Sequence, residues 1–241
     1  MRRRPPSERR VGSGSSTDPT TDPNRGAAAA DPNRSGADPN RGAADPNRGA
    51  DPNRGADPNR GAETRCLAQG RRVRLLARCR WEYAERVHTT LAAIVVAVTE
   101  DERLLLVEQY RAPVAARVIE LPAGLVGDEV GQEDEDVERA AARELLEETG
   151  YRCGAVRMLT GGPPAPGIVN ETVVFVLATG LQKLGEGGGD AHEDIKVHAP
   201  PIVELAHWLE GKRGAGLLVD PKIYVGLHFA EQQRSRRAGP R

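Results

Sequence analysis

Six copies of Asp-Pro-Asn-Arg, beginning at Asp22, Asp31, Asp38, Asp45, Asp51 and Asp57 and separated mostly by glycine and alanine, fill the early part of the chain. Proline there forbids regular hydrogen bonding, glycine raises the entropy lost on ordering, and no large apolar side chain is present to offset that loss. Residues 1–62 are therefore expected to be a disordered low-complexity tail, and residues 63–241 to form the folded domain. The repeat is much shorter than the about 20–50 residues of a solenoid unit and has no apolar stripe on which copies could stack. Slippage or an extended reading frame explains it better than a structural module, and a tethering role rests on its regularity alone.

Met1-Arg2-Arg3-Arg4 has the basic start of a signal peptide, but no apolar segment follows and the spacing of a transit peptide is missing. No stretch reaches transmembrane length, so a cytoplasmic protein without a membrane partner is expected. The net charge of −1 gives no electrostatic case for nucleic acid. Cys66, Cys79 and Cys153 are odd in number and scattered, which suits neither a disulfide framework nor a zinc site.

Beyond Glu63 the pattern changes. Val73–Leu76 and Arg80–Tyr83 look like short strands, and Leu91–Val98 is a continuous apolar run of strand length. The polar turn Thr99–Glu102 before Leu104–Val107 predicts a hairpin in a mixed sheet. Val137–Thr149 is rich in helix formers and is followed by Gly150 at the position of a C-cap. Strands are expected at Ala155–Leu159, Thr172–Ala178 and Ile195–His198. Two helices then close the domain, the last starting at Asp220-Pro221. This order of elements predicts an α+β domain, or a layered α/β/α one.

Glu144, Glu147 and Glu148 fall on one face of the expected helix, at about 100° per residue. Three like charges stacked at that spacing repel one another. They are tolerated on a solvated face, which charge alone favours, or where a hard cation such as magnesium neutralises them.

The segment Arg143-Glu144-Leu145-Leu146-Glu147-Glu148-Thr149-Gly150-Tyr151 resembles the second half of the Nudix box, Gx5Ex7REUxEExGU, at every fixed position. Glu135 stands at the family distance before Arg143, and Glu120-Leu121-Pro122-Ala123-Gly124 looks like the strand end that opens the box. The loop between Gly124 and Glu135 holds ten residues where the pattern has five, an insertion that loops accept cheaply. The resemblance implies a Nudix-type α/β/α sandwich with a mixed sheet, and an enzyme that hydrolyses a diphosphate with Mg2+, Mn2+ being the alternative. It implies Glu144, Glu147 and Glu148 as metal ligands with the Ala123 carbonyl completing the site, and Glu135 and Arg143 as the residues that orient them.

Trp81-Glu82-Tyr83, Glu108–Pro113 and Pro164-Ala165-Pro166-Gly167 with Asn170-Glu171 resemble, in order, segments of the ADP-ribose and nucleoside-diphosphate-sugar pyrophosphatase branch. That resemblance covers about residues 80–230. It implies a base on the loop before the penultimate strand, where Glu193 is the candidate, with Glu186, Asp190 and Asp194 as competitors and Glu147 as a further catalytic carboxylate. Arg111 is suited to grip phosphate with its planar guanidinium, unless it merely pairs with Glu120. Trp81 is suited to stack on a nucleobase, unless it is a core residue. Glu120 and Glu171 are further candidates for substrate binding. The branch implies a homodimer acting on ADP-ribose, with GDP-mannose or another nucleotide sugar as the alternative substrate. A binding module without hydrolysis is the other class of function, against which the intact glutamate triplet argues.

Overall fold

A computed structural model describes residues 61–128, 131, 133–189 and 194–237. Apart from its last two positions, the tail assigned to residues 1–62 lies outside the described residues. Strands β1 (Thr64–Gln69), β2 (Val73–Arg78) and β3 (Trp81–Arg86) form an antiparallel meander. There follow β4 (Leu91–Ala97), β5 (Leu106–Arg111), β6 (Ala116–Glu120), β7 (Ala123–Leu125) and helix α1 (Val137–Thr149). Next come β8 (Tyr151–Arg152), β9 (Ala155–Gly162), β10 (Thr172–Thr179), β11 (Gln182–Lys183) and β12 (Lys196–His198). Helix α2 (Leu205–Gly214), β13 (Leu218–Val219) and helix α3 (Lys222–Arg237) complete the fold.

Two mixed four-stranded sheets, in the orders β7-β4-β10-β9 and β12-β5-β6-β13, carry the architecture. In the first, β10 runs parallel to β4 while β7 and β9 are antiparallel to their neighbours. The unbroken apolar run in β4 has a direct cause, because both faces of this sheet are covered. Ile94, Val96, Phe175 and Leu177 pack with Leu205, Leu209, Ile223 and Ala230 of the two terminal helices. Ala93, Val95, Val174 and Val176 pack instead with Ala140, Ala141 and Leu145 of α1. Each fully buried aliphatic side chain contributes about 1.5–3 kcal/mol by leaving water, so α1 is held firmly by one wall of the sheet. The α+β expectation, layered with a mixed sheet, is met.

The hairpin expected from Leu91–Val98 and Leu104–Val107 does not form. β4 pairs with β7 and β10, whereas β5 pairs with β6 and β12. They are joined just at the turn, by the Val98–Leu104 bridge with its Leu105 N–H to Ala97 carbonyl (2.9 Å) and Thr99 N–H to Arg103 carbonyl (3.0 Å) bonds. Leu104 and Leu105 are both fully buried, one in each apolar cluster. Burying two successive leucines on opposite sides takes the chain out of the first sheet and into the second.

Helix α1 has the bounds read from the sequence. The Asp136 carboxylate accepts the Arg139 N–H at 2.8 Å, and Gly150, at φ +74°, donates its N–H to the Leu146 carbonyl at the other end. At the start of α3, Asp220 accepts the Lys222 N–H at 2.8 Å. Among the described residues no helix is long and apolar enough to cross a membrane.

Candidate active site

Strand β7 pairs with β4 and thereby lays Ala123 and Gly124 against α1. The Ala123 N–H donates to Oε2 of Glu148 at 3.0 Å. A Cβ built on Gly124 would overlap the carboxylate of Glu144, so a larger residue there would push that side chain from its present position. Gly124 thus meets the steric requirement of an opening box glycine despite the long loop that follows it.

Arg143 gathers the carboxylates around it. Its guanidinium bonds Glu135 at 3.1 and 3.2 Å, Glu144 at 2.9 Å and the Leu125 carbonyl at 3.4 Å, and reaches Glu147 at 3.4 Å. The bond to Glu135 is the main reason its pKa is raised beyond the ordinary arginine value, so it stays charged. Glu144 behaves in the opposite way: burial, reinforced by repulsion from Glu147 and Asp128 and only partly opposed by Arg143, pushes its pKa up to about 7. Burial, more than any missing partner, makes the charged form of this carboxylate costly.

Glu144 and Glu148 line a cleft of about 530 Å³ together with Ala123, Gly124 and Asp128. Cations from other elements line it too: Arg111 bonds Glu120 at 2.7 Å, Arg86 bonds Glu171 at 2.5 Å, Lys222 bonds Asp220 at 2.5 Å, and Arg72 joins them. Acidic and basic residues thus share one cleft, as a metal-bound diphosphate requires. Glu148 is only 4% exposed and faces this cleft. The structure does not bring Glu147 there: its side chain is half exposed beside Arg143 and does not line the cleft.

No three acidic, histidine or cysteine side chains form a ready-made cage among the described residues. Magnesium does not need one, since it retains several waters and binds proteins through one or two carboxylates together with substrate phosphates. The buried Glu148 and the half-buried Glu144, beside the Ala123 backbone, fit such an ion.

Trp81 lies in a separate hollow of about 440 Å³ with Arg78, Tyr83, Pro163, Pro166 and Asn170, and is 50% exposed. It is not a core residue. The proline loop joins the two hollows, because Pro164 and Glu171 line the cleft while Pro163 and Asn170 line the Trp81 side. That loop is tied to β3 by the Ala84 N–H to the Ile168 carbonyl (2.9 Å) and by a bond between Asn170 and Glu85.

Glu193 and its competitor Asp190 lie outside the described residues. The segments flanking them are anchored. Gly188 and Gly189 donate N–H groups to the Glu148 and Glu147 carbonyls at 2.9 and 3.1 Å, and Asp194 pairs with Arg117 at 2.6 Å. Of the other competitors, Glu186 pairs with Lys183. Sequence reasoning missed Arg72, Arg86, Asp128 and Lys222 as cleft residues. In a chain with 34 lysines and arginines no local signal separates those that converge from those that do not.

The family model described as the NUDIX domain matches residues 88–214. The chain is 30% identical over 145 residues to the methanol dehydrogenase activator of Bacillus methanolicus, covering 60% of this chain and 74% of that one. It is 36% identical over 148 residues to the ADP-ribose pyrophosphatase of Bacillus subtilis (strain 168), covering 61% and 75% respectively. In fold it is similar to a crystal structure of an ADP compounds hydrolase, with a TM-score of 0.55 and 21% identity, over 73% of this chain and 94% of the other.

Proposed function

Because this chain belongs to the NUDIX domain family and is a hydrolase of that family's nucleotide-sugar pyrophosphatase kind, we propose that it cleaves the diphosphate of ADP-ribose, giving AMP and ribose 5-phosphate. The observation that carries this reading is the cleft itself, where Glu144 and Glu148 face Arg72, Arg86 and Arg111 across a space of about 530 Å³. The name of the Bacillus subtilis relative supports the choice of ADP-ribose over another nucleoside-diphosphate sugar.

In the proposed mechanism Glu144, Glu148 and the Ala123 carbonyl would hold Mg2+, or Mn2+ in its place, and a bound ion would supply positive charge against the phosphate oxygens and make a water easier to deprotonate. Glu147 joins only by turning away from Arg143. Arg143, itself held by Glu135, fixes Glu144, and the Ala123 N–H fixes Glu148. Arg111 and Arg86 hold the phosphates, which requires Glu120 and Glu171 to share their partners with substrate. A water attacks one phosphorus, the bond to the bridging oxygen breaks, and its electron pair leaves with the departing phosphate. The water proton passes to Glu193, the proposed base. Trp81 offers its exposed face to the nucleobase.

Two further proposals accompany this one. Leu76 is the single buried residue of β1, β2 and β3, and a sheet so poorly covered suits a homodimer in which a second copy lies on it. The three cysteines are free thiols, as a reducing cytoplasm allows.

Incubation with magnesium and a panel of ADP-ribose, GDP-mannose, ADP-glucose, NADH and dinucleoside polyphosphates, with an EDTA control, tests the substrate. Fast EDTA-sensitive AMP release from ADP-ribose is expected. Faster turnover of GDP-mannose would move the substrate while keeping the mechanism.

A further inference from the structure

A smaller hollow of about 260 Å³ adjoins the cleft and shares Arg72, Arg86, Leu125 and Asp128 with it. Its other walls are Arg71, His88 and Thr89, none of which lines the cleft. Three chain segments build it, and the two that carry its arginines are locked together. The Gly70 N–H closes the turn before β2 on the Val73 carbonyl at 2.8 Å, and the Val87 N–H bonds the Arg72 carbonyl at 3.0 Å. Arg86 shares its charge with Glu171, but Arg71 and Arg72 have no ion pair among the described residues. The Thr89 hydroxyl accepts the Leu91 N–H at 3.2 Å and keeps its own proton available as a donor. Among the described residues Asp128 is the only acid in the lining. Adjacent arginines without an ion pair repel each other, whereas an anion placed among them would be bound by charge-assisted hydrogen bonds.

The hollow's place along β3 indicates which part of a ligand it meets. Trp81 begins that strand and Arg86 ends it, which separates the two ends by about 17 Å at the rise of an extended chain. An aromatic hollow at one end and a basic one at the other, with the diphosphate cleft adjoining the basic end, match a substrate laid base-first along the strand. We propose that the Arg71–Arg72–His88 hollow binds a terminal oxyanion on the non-nucleoside half of the substrate. A nucleoside-diphosphate sugar whose sugar carries a carboxylate or phosphate is then turned over faster than the neutral sugar on the same nucleoside. This rests on the pyrophosphatase reading above.

The test compares wild type with Arg71→Ala, an exposed position. UDP-glucuronate and UDP-glucose differ by one carboxylate, and wild type is expected to favour the former by about tenfold in kcat/KM, the scale of one charge-assisted hydrogen bond. Arg71→Ala is expected to lose that preference and leave UDP-glucose unchanged. In parallel, calorimetric binding of inorganic phosphate and of acetate is measured without magnesium or substrate. An Arg71-dependent phosphate signal without the glucuronate preference supports the proposal and identifies phosphate as the source of the anion. Equal loss on both sugars, a preference that survives Arg71→Ala, or the absence of both the preference and Arg71-sensitive anion binding overturns it. If no nucleotide sugar is hydrolysed, the pyrophosphatase reading fails, while the phosphate arm still decides the fate of the anion site.

Discussion

Glu144 offers a pH signature that belongs to this site alone. Its pKa stands at about 7 in the folded chain against an ordinary 4.5, chiefly through burial. The folded state therefore holds a proton that the unfolded state has released between those values, and stability must fall as pH rises through that window. At about 1.4 kcal/mol per pH unit, the metal-free protein loses roughly 2 kcal/mol between pH 5.5 and 7 from this one group. For a domain of this size that corresponds to a Tm lower by about 4–8 °C. The assay is a thermal melt in EDTA across pH 5.5–8, wild type against Glu144→Gln. The difference between the two curves isolates Glu144 from every other titrating group. Wild type is expected to lose Tm relative to the variant as pH rises and to level off above about pH 7. Saturating magnesium should abolish the fall, because the ion binds the deprotonated carboxylate. Parallel wild-type and variant curves in EDTA would refute the reasoning.

Other expectations follow from the same geometry. Gly124→Ala displaces the Glu144 carboxylate and should weaken magnesium binding by about 10–100-fold, read by titration of activity against magnesium; unchanged affinity would mean that the present position of that carboxylate is not needed to hold the ion. Glu108 is buried and bonds Arg117 at 2.7 Å and His198 at 2.9 Å, and these bonds outweigh the burial that opposes its ionisation and hold its pKa below the usual range. Glu108→Ala strands those partners and should cost about 3 kcal/mol in urea unfolding, a loss under 1 kcal/mol being the contrary result. Deleting residues 1–62 should leave Tm and turnover within error, and a large drop in either would give the tail a role. Sedimentation should show a dimer that Leu75→Glu weakens, since Leu75 is 39% exposed on the uncovered meander; a monomer at all concentrations would exclude the dimer.

Much of the framework was legible because local chemistry determines it. Asp136, the run of helix formers and Gly150 bound α1 without reference to the rest of the chain. The alternate residues of Leu91–Ala97 are apolar on both faces because helices cover both. What stayed hidden depends on contacts distant in sequence. Nothing in Leu104-Leu105 indicates that the chain changes sheets there, since a buried leucine reads the same in a hairpin as in a crossing. Arg72 and Arg86 share a cleft with Glu144 only through the placement of β2 and β3, and Glu147 lies half exposed beside Arg143 instead of in that cleft. Spacing put three glutamates on one helix face, but packing decided which two look into the cleft.

The central claim is that Glu148 and Glu144 hold the cation that makes diphosphate hydrolysis possible. Its most direct measurement is the kcat of wild type and Glu148→Gln on ADP-ribose, with magnesium affinity determined on the same preparations and folding checked by circular dichroism. The account predicts a folded variant with kcat reduced by at least about a hundredfold and weakened magnesium binding, in keeping with loss of a metal ligand from the reacting centre. A folded Glu148→Gln that turns over ADP-ribose at the wild-type rate would contradict it.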